Sequence, residues 1–272
     1  MGRNDFFQGY RRDIDGLRAI AVLPVVLYHF GLEGISGGFL GVDVFFVISG
    51  FLISGIIFRE VLNEEFSIVN FYERRFRRIL PALISFLTIT TVLAIFLYSP
   101  LALIDYGKSL LGVATFTSNF VFYSESGYFD VASEMKPLIH TWSLAVEEQF
   151  YIFFPVLMLL IWRFSSKFLV TIMFCLLLLS LVASEYASLR WPSANFYFIL
   201  TRGWELLAGV MTMLALRNYN GKVSCLLATL VSTFALMVLF YPTACLILKS
   251  PIQVFTLLLP SYQCAFCCFL AQ

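Results

Sequence analysis

Two ionisable side chains, Arg18 and His29, stand eleven residues apart in the otherwise largely apolar stretch Leu17–Leu32. On a helix that spacing is three turns with about 20° left over and about 16 Å of rise, so both project from one face. A neutral imidazole inside a helical bundle accepts a proton from a hydroxyl, and a guanidinium holds an anion. The pair therefore suits a base at one depth and a donor-binding cation at another. The alternative is a snorkelling Arg18 with His29 satisfied by a backbone carbonyl. Asp43 follows in Gly41-Val-Asp-Val-Phe-Phe-Val-Ile-Ser-Gly-Phe-Leu-Ile53. Charge within a membrane helix is expensive, which makes Asp43 a candidate catalytic side chain. Gly41, Ser49, Gly50 and Ser54 around it are small enough to let helices approach closely.

Arg75 and Arg78 are three apart in Tyr72-Glu-Arg-Arg-Phe-Arg-Arg-Ile-Leu-Pro81, and Arg74 and Arg77 form a similar pair. Guanidinium groups at that spacing share a helix face and suit bidentate contacts to phosphate. A positive anchor on anionic lipid heads fits the same cluster equally well. Ser143, Glu147 and Tyr151 recur every fourth residue in His140-Thr-Trp-Ser-Leu-Ala-Val-Glu-Glu-Gln-Phe-Tyr151 and line one face. Glu147 and Glu148 need partners in an apolar helix, for which Arg18 and Arg202 are available. Arg202 and Glu205, at i and i+3, are expected to neutralise each other.

These side chains must be positioned by membrane helices. Of the 272 residues 60 % are apolar and 13 % charged, where a soluble domain has roughly 25 % charged. The apolar total supplies close to eight stretches of about 20 residues, more than a single soluble core can hide. The runs are long and uninterrupted, which excludes the alternating strands of an outer-membrane barrel. A net charge of +1 gives no field to attract nucleic acid. The expected spans are Leu17–Leu32, Phe39–Phe58, Ile79–Tyr98, Trp142–Trp162, Phe168–Glu185, Phe196–Leu216, Val223–Tyr241 and a last one from about Ala244. Gly107–Tyr123 is long enough to cross, but Lys108, Thr115, Thr117, Ser118 and Asn119 make hydrocarbon costly for it, so it is taken as re-entrant or interfacial. The fold class is therefore an all-α, polytopic membrane helical bundle of eight or nine spans. With no repeat or linker, residues 1–272 form a single domain.

Basic residues orient the first spans. Arg3, Arg11 and Arg12 precede the first, and Arg59, Arg74, Arg75, Arg77 and Arg78 lie between the second and third, while the intervening loop Glu33–Gly38 has neither Lys nor Arg. This asymmetry puts the N-terminus in the cytoplasm. The polar start, Met1–Asp15, and the lack of a small-residue cleavage site argue for a retained first span over a removed signal. Beyond residue 120 the basic residues divide almost evenly and leave the later topology open. Cys264 and Cys267 form a C-x-x-C with no second pair or histidine beside it, so no metal site is expected and the cysteines are small membrane residues.

Together Asp13-x-Asp15-Gly-Leu-Arg18 with His29, the Gly41–Ile53 segment, Arg75-x-x-Arg78 and Trp142-Ser-Leu-Ala-Val-Glu-Glu-Gln-Phe-Tyr151 resemble the hallmarks of the bacterial membrane acyltransferase-3 family, of the O-antigen acetylase type. The resemblance is densest over residues 10–163, and the tail, about 246–272, is atypical of the family. It implies transfer of an acyl group, usually acetyl, from cytoplasmic acyl-CoA to a hydroxyl of an envelope polysaccharide, such as lipopolysaccharide O-antigen, or of its lipid-linked precursor. It further implies a multi-pass protein of the bacterial inner membrane, with no permanently bound cofactor and acetyl-CoA as donor substrate. On this resemblance His29 is the base or acyl relay, Arg18 a donor contact, Arg75 and Arg78 hold the CoA phosphates, and Glu147 orients or charge-balances the site. Two other readings stand beside it: a polysaccharide-precursor carrier or flippase with charges lining a path, and an inactive remnant, suggested by fewer spans than the family's usual ten or so and by the charge-free end.

Overall fold

A computed structural model describes residues 12–30, 38–126 and 136–218. Among these residues the secondary structure is entirely helical: α1 (Arg12–His29), α2 (Leu40–Leu62), α3 (Ile68–Leu97), α4 (Pro100–Ala114), α5 (Ser118–Glu125), α6 (Thr141–Ser165), α7 (Leu169–Arg190), α8 (Pro192–Tyr197) and α9 (Ile199–Asn218), with a single 3₁₀ turn at Ser166–Phe168. Five segments are long and apolar enough to cross a membrane: Leu40–Leu62, Ile68–Leu97, Thr141–Phe164, Ser166–Arg190 and Pro192–Arg217. The expected spans Val223–Tyr241 and the one from Ala244 lie outside the described residues. The first expected span, Leu17–Leu32, overlaps α1 over Leu17–His29, and the four charged residues of α1 keep it below the composition of the other five.

The helices form two compact units. One holds α1, most of α2, the end of α6, α7 and α9. The other holds α3, α4, α5, most of α6 and α8. In the first unit α2 is apolar on all sides, and 78 % of its membrane window is buried, as is 78 % of the window spanning α8 and α9. A helix that is hydrophobic all round belongs either inside a bundle or against lipid. α7 takes the second course, with only 22 % of its window buried. In the second unit α3 has 11 % buried and leaves Ile84, Ile89, Val92, Leu93, Phe96 and Leu97 exposed, a face suited to acyl chains.

Close approach in the first unit depends on glycine. A Cβ on Gly50 would run into the carbonyl oxygen of Leu206, and one on Gly209 into that of Val47. The backbones of α2 and α9 therefore touch where each supplies a glycine to the other. This crossing also fixes their direction. Asp43 and Arg202 lie on the N-terminal side of it in both helices and are ion-paired at 2.6 Å. Were the helices antiparallel, the two residues would lie roughly 17 Å apart along the axes, beyond the reach of their side chains. Thus α2 and α9 run the same way.

The ambiguous segment Gly107–Tyr123 does not form one helix. It is split between α4 and α5 at Phe116, whose φ of 54° is left-handed, and α4, with 15 residues, is about 22 Å long, short of a roughly 30 Å hydrocarbon core.

Of the polar residues that make a span through this segment costly, Lys108, Thr115 and Thr117 bond locally, and Ser118 and Asn119 make tertiary bonds. The buried Ser118 hydroxyl donates to the Thr141 carbonyl at 2.9 Å, and the buried Asn119 amide to the Tyr197 carbonyl at 3.0 Å. Gln149 of α6 donates to the Phe116 carbonyl and to the Asn119 side-chain oxygen, each at 2.9 Å. These bonds hold α5 to α6 and to the end of α8.

Candidate active site

In the first unit α1 ends on His29, whose Nδ1 donates to the Val25 carbonyl one turn back at 2.7 Å. That bond selects the tautomer. In the neutral imidazole, Nε2 then carries the lone pair and is the atom able to take a proton. The side chain is exposed, and Tyr28 packs edge-on against its ring at a centroid distance of 5.2 Å. Arg18, three turns earlier on the same face, is half-buried. Its Nε is buried and has no hydrogen-bond partner among the described residues. The bond from His29 to the Val25 carbonyl is the one expected of a histidine satisfied by its own helix, and the half-buried Arg18 keeps an unmatched guanidinium donor among the described residues. α1 is held against α2 by close approach, since a Cβ on Gly41 would strike the Ala21 carbonyl.

Asp43 is not at a wet interface. It is 1 % exposed, and its Oδ1 accepts from Arg202 Nη1 at 2.6 Å. The same Nη1 donates to Glu205 at 2.8 Å, and Glu205 is 0 % exposed. Arg202 and Glu205 do neutralise each other as their spacing predicts, but Asp43, far away in sequence, shares the guanidinium. Two carboxyls thus face one cation in a dry helix pair. Oδ2 of Asp43 and Oε2 of Glu205 are buried without a hydrogen-bond partner among the described residues. Ser180 of α7 locks the neighbouring turn of α9: its hydroxyl donates to the Leu200 carbonyl at 2.7 Å and accepts from the Trp204 N–H at 2.9 Å. This arrangement binds helices together.

The second unit holds a separate polar cluster. The adjacency of Glu147 and Glu148 suggested Arg18 or Arg202 as partners; the cation paired with Glu148 is Arg75 of α3, at 3.5 Å. Above the Tyr151 ring the Arg75 guanidinium carbon lies 3.7 Å from the centroid, a cation–π stack. The Tyr151 hydroxyl donates to Glu147, as the four-residue spacing predicts, whereas Ser143 on the same face bonds locally to the His140 carbonyl at 3.1 Å. Tyr72 completes the α3–α6 seam, donating to the Ile152 carbonyl at 2.8 Å just before Pro155, which interrupts the α6 ladder.

The arginines of α3 separate by burial. Arg75 has a side chain 15 % exposed, against 56 % for Arg74, which pairs with Glu60, and 79 % for Arg77, which pairs with Glu73. Arg78 is exposed and carries no ion pair among the described residues. Of the two arginines assigned to CoA phosphates, Arg78 is thus open to an incoming anion and Arg75 faces inward. Glu148 and Arg202 were not singled out as site residues. Spacing within one helix cannot show which of two adjacent glutamates meets a cation from another helix. Among the described residues no group of three or more His, Cys, Asp or Glu side chains could hold a metal.

Comparison with known proteins places this geometry in a family. The family model for the Acyl_transf_3 acyltransferase domain matches residues 11–272. The peptidoglycan O-acetyltransferase OatA of Listeria monocytogenes is 37 % identical over 207 residues, covering 74 % of this chain and 33 % of that protein. The O-acetyltransferase OatA of Staphylococcus aureus is 36 % identical over 174 residues, 63 % of this chain and 29 % of its own. The chain therefore spans about a third of the length of these curated relatives. No solved structure matches. A match over nearly the whole sequence, carrying the Arg18–His29, Gly41–Ile53, Arg75–Arg78 and Trp142–Tyr151 segments, shows that the chain belongs to the acyltransferase-3 family.

Proposed function

We propose that the chain carries out O-acetyl transfer at a bacterial cytoplasmic membrane, from cytoplasmic acetyl-CoA to a hydroxyl of an envelope polysaccharide. The observation that carries this reading is the exposed His29, with Nδ1 tied to a backbone carbonyl, on the same helix face as the buried Nε of Arg18, which has no hydrogen-bond partner among the described residues, in a chain of acyltransferase family. The relatives' names favour a peptidoglycan sugar as acceptor over lipopolysaccharide O-antigen.

With the N-terminus in the cytoplasm, Arg18 lies toward the side where acyl-CoA is found and His29 at the far end of α1, toward the acceptor. Arg78, exposed in the first turns of α3, is by the family resemblance a candidate for holding phosphates. Nε2 of His29 takes the proton of the sugar hydroxyl as its oxygen attacks the thioester carbonyl. The carbon–sulfur bond breaks, the ester forms, and the departing thiolate receives the proton to give free CoA.

Cells expressing the chain should incorporate label from [¹⁴C]acetyl-CoA into purified wall polysaccharide as base-labile acetate. His29→Ala should lower that incorporation by about 10²- to 10⁴-fold, the usual contribution of a general base, with membrane insertion unchanged. Undiminished labelling in the variant would remove His29 from the chemistry. A carrier that only moves the glycan would leave no covalent label on it in either case.

A further inference from the structure

We propose that Arg75 is a positioning residue of this transferase: it holds the Glu147–Glu148 pair of α6 in place through the Tyr151 ring and does not itself grip the donor's phosphates. The inference rests on the acetyl-transfer reading for its kinetic consequence, and on geometry alone for its structural one.

The guanidinium of Arg75 is engaged on two sides, while its Nε is buried without a hydrogen-bond partner among the described residues. One edge meets Glu148 Oε1 at 3.5 Å, and the planar face lies 3.7 Å from the Tyr151 centroid. Tyr151 is 2 % exposed and Glu148 5 %, so neither can leave without exposing a cavity. The Tyr151 hydroxyl passes the constraint on to Glu147, the half-buried member of the pair. Adjacent glutamates on a helix point about 100° apart. One cation can serve both only if one of them is reached directly and the other through a rigid intermediary, and an aromatic ring with a phenol at its tip is such an intermediary. Only a planar, delocalised cation both stacks on a ring and bonds a carboxylate at its edge, so lysine cannot substitute.

A phosphate-gripping arginine needs a guanidinium that an anion can reach. On the same helix Arg78 is exposed and has no ion pair among the described residues, while Arg75 turns inward. The two arginines of the Arg75-x-x-Arg78 motif therefore have different tasks despite their shared spacing.

The test compares Arg75→Gln, Arg75→Lys, Tyr151→Phe and Arg78→Gln in the full chain, purified in detergent. Acetyl transfer as a function of acetyl-CoA concentration should show kcat falling at least tenfold for Arg75→Gln and Arg75→Lys, with KM for acetyl-CoA within twofold of the parent. Tyr151→Phe, which keeps the ring and the stack but cuts the link to Glu147, should likewise lower kcat alone. Arg78→Gln should raise KM. A raised KM with unchanged kcat for Arg75→Gln would overturn the proposal, as would full activity in Arg75→Lys. Hydrogen–deuterium exchange provides a readout independent of activity. Faster exchange over residues 144–152 is expected in Arg75→Gln and not in Arg78→Gln. If the parent protein transfers no acetyl group, the functional reading fails while the exchange comparison still decides the role of Arg75. Equal exchange in the two variants would refute it.

Discussion

Arg202→Met is expected to destabilise the protein by about 3–5 kcal/mol, the cost of removing one partner from a buried ion cluster. The reason lies in the arithmetic of the site. Arg202 is the cation shared by Asp43 and Glu205, which are 1 % and 0 % exposed, and no water can replace it there. The remaining carboxyls would have to take up protons or draw the helices apart. Heating the detergent-solubilised variant and following the fraction that still elutes as a monodisperse peak measures the loss. The triple variant Asp43→Asn, Arg202→Met, Glu205→Gln should recover most of it, because neutral amides no longer require the cation. An Arg202→Met protein as heat-resistant as the parent, or a triple variant no better than the single one, would show that the cluster does not hold α2 to α9.

The second large effect is steric. Gly50→Val and Gly209→Val each place a Cβ against a carbonyl oxygen of the opposite helix, Leu206 and Val47 respectively. A flexible side chain could step aside, but a helical backbone cannot without pushing the whole α2–α9 crossing open. Overpacking in cores costs about 1–3 kcal/mol where side chains can adjust; here the obstacle is main chain, so loss beyond that range is expected, seen as failure to recover folded protein. Gly107→Ala serves as the contrast. A Cβ there meets nothing within 4 Å, and replacing a helical glycine by alanine should raise stability by up to about 1 kcal/mol. Equal recovery of the Gly50, Gly209 and Gly107 variants would mean that α2 and α9 do not touch at their glycines.

Both effects centre on residues whose types were conspicuous in the sequence and whose partners were not. Asp43 stood out as a charge in an apolar helix, and the physical alternatives were a reactive group or a paired one. Nothing within α2 distinguishes these, because the deciding guanidinium comes from α9. Glu147 and Glu148 pose the same difficulty in reverse. Their adjacency announces a need for partners, yet which cation answers depends on how α3 lies along α6. The polar residues of Gly107–Tyr123 argued against a span, since each would be unsatisfied in hydrocarbon, and the segment is divided between α4 and α5. That Ser118 and Asn119 tie α5 to α6 and α8 follows only from the tertiary arrangement.

What the chain determined by itself was local and periodic: that its long apolar runs become helices, that Arg18 and His29 share a face, that Tyr151 reaches Glu147, and that its ordered motifs belong to an acyltransferase. These depend on spacing along one helix or on composition, which no distant contact can alter. What only the folded protein decided was the pairing of charges between helices, the inward turn of Arg75 against the outward turn of Arg78, and the shared direction of α2 and α9. Those are set by which backbones can approach closely enough to touch, and glycine grants that approach at a few positions whose opposite numbers lie far off in sequence.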